Sequence, residues 1–317
     1  MGRISWKKGL ASGFLTTWLL GKIVFPVTLL VTVLGFTPVL KWIVDFIAPV
    51  MKLFGLPGEA AVPLVLGNFL NLYAGIGAIL SLEMTVKEVF ILAVMLSFAH
   101  NMLIETSVAL RVGVKLWVVL AVRLGLAAVS AIIINLVWTG GSETAQYGFA
   151  QVDSQHVEGA GPIILYALEK AAMGVLQLAV IVIPLMVMIQ VMKDLKWMDY
   201  LSAKMGPVTK RLGMSENTSF TLLSGLVIGL AMGAGVMIQA VKEDGVSKKD
   251  ATLAIIFLVA CHAVVEDTVI FIPLGIPVLP LLLIRLGVAV VLTMFIAYMW
   301  GRAELAQRKE AELPYEP

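Results

Sequence analysis

Two sets of polar side chains, spaced alike, stand in otherwise apolar sequence. His100, Glu105, Thr106 and Arg123 recur as His262, Asp267, Thr268 and Arg285, each 162 positions later, and Gly125 and Trp138 recur as Gly287 and Trp300. An imidazole can titrate near neutral pH, coordinate a metal through a neutral ring nitrogen, or hydrogen-bond a polar solute. A carboxylate five residues on can share those tasks or pair with a guanidinium. Ionisable groups at membrane depth cost at least about 2.5 kcal/mol each on the lenient insertion scale, so a set present twice points to function. A plainer reading stands beside it: the Arg–acid pairs lock helices together and the histidines satisfy structural hydrogen bonds. Glu266 has no counterpart, since Ile104 stands at the matching position, so the site is expected to be asymmetric.

Such side chains need apolar elements to hold them. The chain has 317 residues, 60% hydrophobic and 14% charged, with a mean hydropathy of +0.96. An ordinary soluble domain is about 25% charged. Val89 to Leu103, Leu116 to Trp138 and Ile163 to Met192 approach or exceed the roughly 20 residues that cross a bilayer as helix. The class is therefore an all-α polytopic membrane protein. A net charge of +2 makes no case for nucleic acid, and the basic residues sit beside apolar segments, as orientation signals do. A lone Cys261 excludes an internal disulfide. Arg3, Lys7 and Lys8 precede an apolar stretch that runs through Pro26 to about Phe36 with no small-residue cleavage site, so a retained first span is expected rather than a signal peptide.

The repetition extends upstream at an offset of 158, matching Pro26 with Pro184, Pro49 with Pro207, Gly67 with Gly225 and Gly75 with Gly233. Four extra residues near Lys242 to Val246 account for the change to 162. Each copy reads as a span (about 10 to 36; 163 to 192), an amphipathic interfacial segment (39 to 55; 196 to 213), a Gly-interrupted apolar segment (58 to 84; 216 to 243) and a tight pair of spans (88 to 138; 250 to 301). The organisation is repeat one at 1–138, an acidic linker at 139–161, repeat two at 162–301 and a tail at 302–317.

Charge sets the topology. If the Gly-interrupted segments cross as ordinary helices, the repeats are parallel, and a linker holding Glu143, Asp153 and Glu158 without Lys or Arg faces the cytoplasm. If they fold back as re-entrant hairpins or broken helices, each repeat has three transmembrane helices and the second is inverted. The acidic linker is then outside, and the clusters at Arg111 and Lys115, at Lys193 to Arg211, and at Lys242, Lys248 and Lys249 are inside. That is the expected arrangement: six spans in a bacterial or archaeal inner membrane, with both termini cytoplasmic. Backbone turning at membrane depth needs cover from protein or a water-filled cavity. Asn68, Asn71, Tyr73, Gly75, Ser224, Gly229, Gly233 and Gln239 are therefore candidate hairpin-tip residues beside a midplane site. Glu105 and Arg123 lie eight and ten residues either side of a turn at Gly113, and Asp267 and Arg285 flank Gly275 likewise. At about 1.5 Å rise per residue each acid meets its arginine at matching depth. Inversion would put the first pair near the cytoplasmic side and the second near the outer side.

The Gly67–Leu82 stretch, followed by His-Asn-Met-Leu-Ile-Glu-Thr at 100–106 and His-Ala-Val-Val-Glu-Asp-Thr at 262–268, resembles the nucleoside-recognition or Gate-domain family. That family includes the spore maturation proteins A and B, and it is similar to the Gate units of ferrous-iron and concentrative nucleoside transporters. The resemblance covers most of the chain and implies two Gate units, each with a re-entrant hairpin, and a transport role. No Gly-x-x-x-x-Gly-Lys-Ser/Thr phosphate loop accompanies them.

The leading expectation is a secondary transporter for a small polar or anionic solute, such as a nucleoside, with His or acid residues carrying coupled protons and Arg123 and Arg285 able to contact anionic groups. The alternatives are divalent-metal transport through His100, Glu105, Cys261, His262, Glu266 and Asp267, and a non-transporting assembly protein with a partner in the membrane. No enzyme is expected, because there is no nucleophile motif and no His-Glu-x-x-His, and no cofactor is called for. The lipid bilayer is the expected surrounding, and a homodimer is compatible with the sequence without being selected by it.

Overall fold

A computed structural model of the chain describes residues 4–148, 159–231, 235, 237–239 and 245–311. Arg3, Asp153, Glu158, Gly233 and Lys242 lie outside them. The described elements are helical: α1 (Trp6–Gly35), α2 (Pro38–Lys52), α3 (Ala61–Phe69), α4 (Leu72–Ile79), α5 (Val86–Phe98), α6 (Met102–Val112), α7 (Leu116–Val137), α8 (Ala160–Asp194), α9 (Trp197–Arg211), α10 (Ser219–Ile228), α11 (Lys248–Ala260), α12 (Glu266–Val269) and α13 (Val278–Ala311). Among the described residues, five stretches are long and apolar enough to cross a membrane: α1, the α5–α6 run, α7, α8 and α13. The sixth expected span is divided into α11 and α12, because five residues outside both helices intervene and α12 has only four residues.

Matching elements start and stop through matching chemistry. Thr85 caps α5 in a reciprocal capping box with Glu88, and the Ser247 hydroxyl accepts from the Asp250 amide at the start of α11. Gly113 and Gly275, at φ 99° and 67°, take the left-handed turns that end α6 and precede α13. The core is built around α5 and α11: from Val89 to Phe98 and from Leu253 to Cys261 every side chain is at most 6% exposed. Outer helices instead present apolar side chains outward, such as Trp18 on α1, Leu136 on α7, Leu165 on α8 and Leu283 on α13. Along α2 and just past its end, Val39, Trp42, Phe46, Val50 and Leu53 form one exposed apolar stripe.

The first Gly-interrupted segment folds back on itself. Asn71 caps α4 by accepting from the Ala74 amide at 2.9 Å. A Cβ on Gly75 would sit 3.0 Å from the Pro63 carbonyl oxygen and 3.2 Å from Gly67 Cα, so α3 and α4 lie side by side as a helical hairpin. In the second copy α10 ends at Gly229, whose φ is 89°, and the following arm is only partly described.

Away from the polar cluster, two packing relations join the copies. The matching spans α1 and α8 run antiparallel: Ser5 N–H donates to Asp194, Gly9 abuts Val187, Gly13 abuts Ile183 and Gly21 abuts Val175. Small residues allow that close backbone approach. The linker start ties the beginning of α5 to the Gly275 turn. Val86 and Lys87 amides donate to the Glu143 and Gly141 carbonyls, the Gly148 amide donates to Pro273, and Gly275 lies against Gln146.

Candidate functional site

The site is made where α5 and α11 stop. After Phe98 and again after Ala260 the chain leaves the helix, and a residue in the left-handed region turns it: Asn101 at φ 47° and Ala263 at φ 42°, 162 positions apart. Each break is held by the first arm of its own Gly-interrupted segment. The Asn101 amide donates to Gly67 at 2.8 Å, and the Ala263 amide donates to Gly225 at 3.1 Å. Glycine leaves room for this approach: a Cβ at Gly67 would stand 2.4 Å from one Leu96 methyl, and a Cβ at Gly225 would stand 2.4 Å and 2.5 Å from the two Leu258 methyls.

Those leucines orient the histidines. His100 Nδ1 lies 2.6 Å from the Leu96 carbonyl and His262 Nδ1 lies 2.7 Å from that of Leu258. A carbonyl only accepts, so both Nδ1 atoms carry hydrogen and both Nε2 atoms face inward. The rings stand 5.2 Å apart, centroid to centroid. Glu105 Oε1 is 3.3 Å from each Nε2, and Asp267 Oδ2 is 4.0 Å from His100 Nε2 and 3.7 Å from His262 Nε2. Behind the acids, Arg123 is 2.8 Å from Glu105 Oε2 and Arg285 is 2.8 Å from Asp267 Oδ2. Arg123 also donates to the Phe98 and His100 carbonyls, and Arg285 to that of His262, so each guanidinium closes the broken end of a core helix. Both arginines are fully buried.

The pairs were expected on opposite sides of the membrane. The structure instead joins both into one cluster, because the two helix breaks abut and Glu105 reaches the histidine of the other copy. A cavity of about 260 Å³ opens beside it. Its wall takes Asn71 and Tyr73 from the first hairpin, Ile228 to Ala231 from the second segment, both histidines, Glu105, Asp267 and Glu266, with Thr16 and Leu20 of α1. The Tyr73 hydroxyl donates to Glu266 Oε1 across the two copies. At the related positions stand Ala231 and Ile104, so this bond has no twin.

Other sequence candidates lie elsewhere. Arg123 and Arg285 do not line the cavity, since the acids and carbonyls occupy their inward faces. Thr268 donates to the Val264 carbonyl, and Asn68 donates to that of Leu64, both local helix bonds. Thr106 and Ser224 are buried off the wall, Gly75 packs the hairpin arms, and Gln239 is not part of the lining. Gly233 lies outside the described residues. Sequence reasoning missed Asn101, Ile104, Thr16 and Leu20. The repeated position after each histidine was the available signal for Asn101, since Asn tolerates left-handed backbone; nothing local marks the α1 residues.

What the cluster can do follows from its polarity. Two imidazole nitrogens and three carboxylates surround the space, while the positive groups sit behind, so the lining suits neutral or cationic polar species more than anions.

Comparison with known proteins agrees with the duplication. The family profile described as Gate: Nucleoside recognition matches residues 17–115 and 175–277, two stretches that start 158 residues apart and end 162 apart. An uncharacterised membrane protein of Bacillus subtilis (strain 168), YvoD, is 65% identical over 294 residues, covering 93% of this chain and 94% of its own length. No solved structure matches. The chain belongs to the Gate, or nucleoside-recognition, family of membrane proteins.

Proposed function

We propose that this protein is a carrier that moves a small polar solute across a cell membrane by alternating access, with the cavity at the helix breaks as its solute site. The observation that carries this reading is a cavity walled by both Gly-interrupted segments and by His100 and His262 together. Interrupted helices meeting at a repeat interface are where secondary transporters hold their cargo. Two inverted repeats, 1–138 and 162–301, joined by an extracytoplasmic linker at 139–161, fit the antiparallel contact of α1 with α8. They also fit the linker's grip on the start of α5 and on the Gly275 turn: the entrance of one helix pair and the bend of the other then lie at one end. The α3–α4 hairpin is re-entrant in this reading, the termini and the tail at 302–317 are cytoplasmic, and a bacterial or archaeal membrane is the setting. His100, His262, Glu105, Asp267 and Glu266 contact the solute, while Arg123 and Arg285 hold the acids. The acidic lining favours a neutral or cationic solute over an anionic one; a nucleoside, the ligand in the family's description, is one neutral candidate.

The test needs no knowledge of the solute. In a Cys261→Ala background, Leu70→Cys and Ile104→Cys at the cavity should react with a membrane-impermeant thiol reagent applied from either face, in right-side-out and in inside-out vesicles. Reaction from one face alone under all conditions would overturn alternating access.

A further inference from the structure

Neutral imidazoles with Nδ1–H bonded to a carbonyl have a lone pair on Nε2. Here two such lone pairs converge on a carboxylate oxygen, acceptors facing an acceptor, in a site where His100, His262 and Glu105 are all less than 5% exposed. That arrangement calls for something positive between them. Protons on both Nε2 atoms would make charge-assisted hydrogen bonds, which run about 2.7–2.9 Å; both Nε2–Oε1 separations are 3.3 Å. Ligands at about 2.0–2.1 Å around a tetrahedral ion stand roughly 3.3–3.4 Å apart. One atom each from His100, His262 and Asp267 also lie within 4.8 Å of one another. Asp267 Oδ2, at 4.0 Å and 3.7 Å from the two Nε2 atoms, would need to move by only several tenths of an ångström to stand at that distance from both nitrogens. A backbone carbonyl on the far nitrogen is the usual support for a metal-binding histidine, and an Arg on the far oxygen of Glu105 holds that ligand's orientation.

We propose that His100 Nε2, His262 Nε2, Glu105 Oε1 and Asp267 together bind one divalent transition-metal ion, and that such an ion is the cargo class of the carrier. This rests on reading the cavity as the transport site. Mixed imidazole and carboxylate donors suit ions of the Zn(II), Fe(II) or Co(II) type, whereas calcium takes six to eight oxygens. The charges argue for transient occupancy: Arg123 and Arg285 already balance Glu105 and Asp267, so only Glu266 is left to offset an arriving dication. An ion held that way can leave.

The purified full-length chain, stripped with a chelator, is titrated with Co(II) and then Zn(II) while visible absorption and heat are recorded. The expected result is a tetrahedral Co(II) spectrum at one ion per chain, displaced by Zn(II), with affinity at least tenfold weaker in His100→Gln and in His262→Gln. X-ray absorption of the zinc-loaded wild type should show two histidine nitrogens and oxygen donors, a readout that does not depend on the variants folding. No stoichiometric binding, an all-oxygen shell, or variants that bind as the wild type does would overturn the proposal. Absence of metal binding with two-sided thiol access intact removes the metal and leaves the carrier. Binding with access from one face only leaves the site and removes its role as cargo site.

Discussion

Replacing Arg123 with methionine keeps an unbranched apolar stem out to about the position of Nε and removes the guanidinium with its charge and donors. Three contacts disappear: the ion pair to Glu105 at 2.8 Å, the bond to the Phe98 carbonyl at 3.0 Å and the bond to His100. Breaking a buried pair from one side costs about 3–5 kcal/mol. The two carbonyl bonds lost with it add roughly 1 kcal/mol each, and the larger remainder, about 3–5 kcal/mol, belongs to the orphaned carboxylate. The double variant Arg123→Met/Glu105→Met still lacks the carbonyl bonds but no longer strands a charge, so it should be more stable than Arg123→Met by that remainder. The assay is reversible unfolding of the purified protein in mixed micelles by increasing SDS, followed by far-ultraviolet circular dichroism, for the wild type, both single variants and the double. A loss under about 1 kcal/mol in Arg123→Met, or a double variant whose cost equals the sum of the singles, would refute the argument that this arginine serves the carboxylate.

Gly13→Ala places a methyl 2.9 Å from Ile183 Cα, which is backbone and cannot swing aside, so α1 and α8 must separate; a loss of about 1–3 kcal/mol is expected in the same unfolding assay. Gly225→Ala should cost more than Gly67→Ala, because it meets Leu258 at Cγ as well as at both methyls, whereas the close contact at Gly67 is with one Leu96 methyl. Gly125→Ala meets nothing within 4 Å in mid-helix and should be neutral or stabilising by up to about 1 kcal/mol. Tyr73→Phe removes the bond that joins the copies across the cavity and should change the thiol-labelling rate of Leu70→Cys from one membrane face more than from the other; equal changes from both faces would contradict a one-sided role.

The sequence made the duplicated polar set and the helical hairpin visible because both leave local marks: identical side chains at a fixed offset, and Asn71 among glycines where a helix must restart. Depth along a helix pair also predicted that Glu105 meets Arg123 and Asp267 meets Arg285. It could not predict that the two sets join, since distance from a turn says nothing about which helices are neighbours. The breaks at Asn101 and Ala263 were hidden because neither is glycine or proline, and their cause, donation to Gly67 and Gly225, acts over more than thirty residues of chain. Tyr73 and Glu266 stand 193 residues apart. Their hydrogen bond depends on packing of the two copies and has no pattern within either.

For the carrier proposed above, that unmatched bond bears on the energetics of its two related halves. Interchangeable halves would give inward-open and outward-open states of equal free energy. A hydrogen bond to a charged group contributes about 1.5–3 kcal/mol, and a bond present in one state alone would shift the resting populations by roughly 10- to 150-fold. Passive flux must still vanish when concentrations are equal on both sides, so the ratio of maximal rate to half-saturation must be the same for influx and efflux. The bias from Tyr73 and Glu266 would therefore appear as unequal half-saturation on the two faces with proportionate maximal rates: a rectifying carrier whose preferred direction is set by one phenol and one carboxylate.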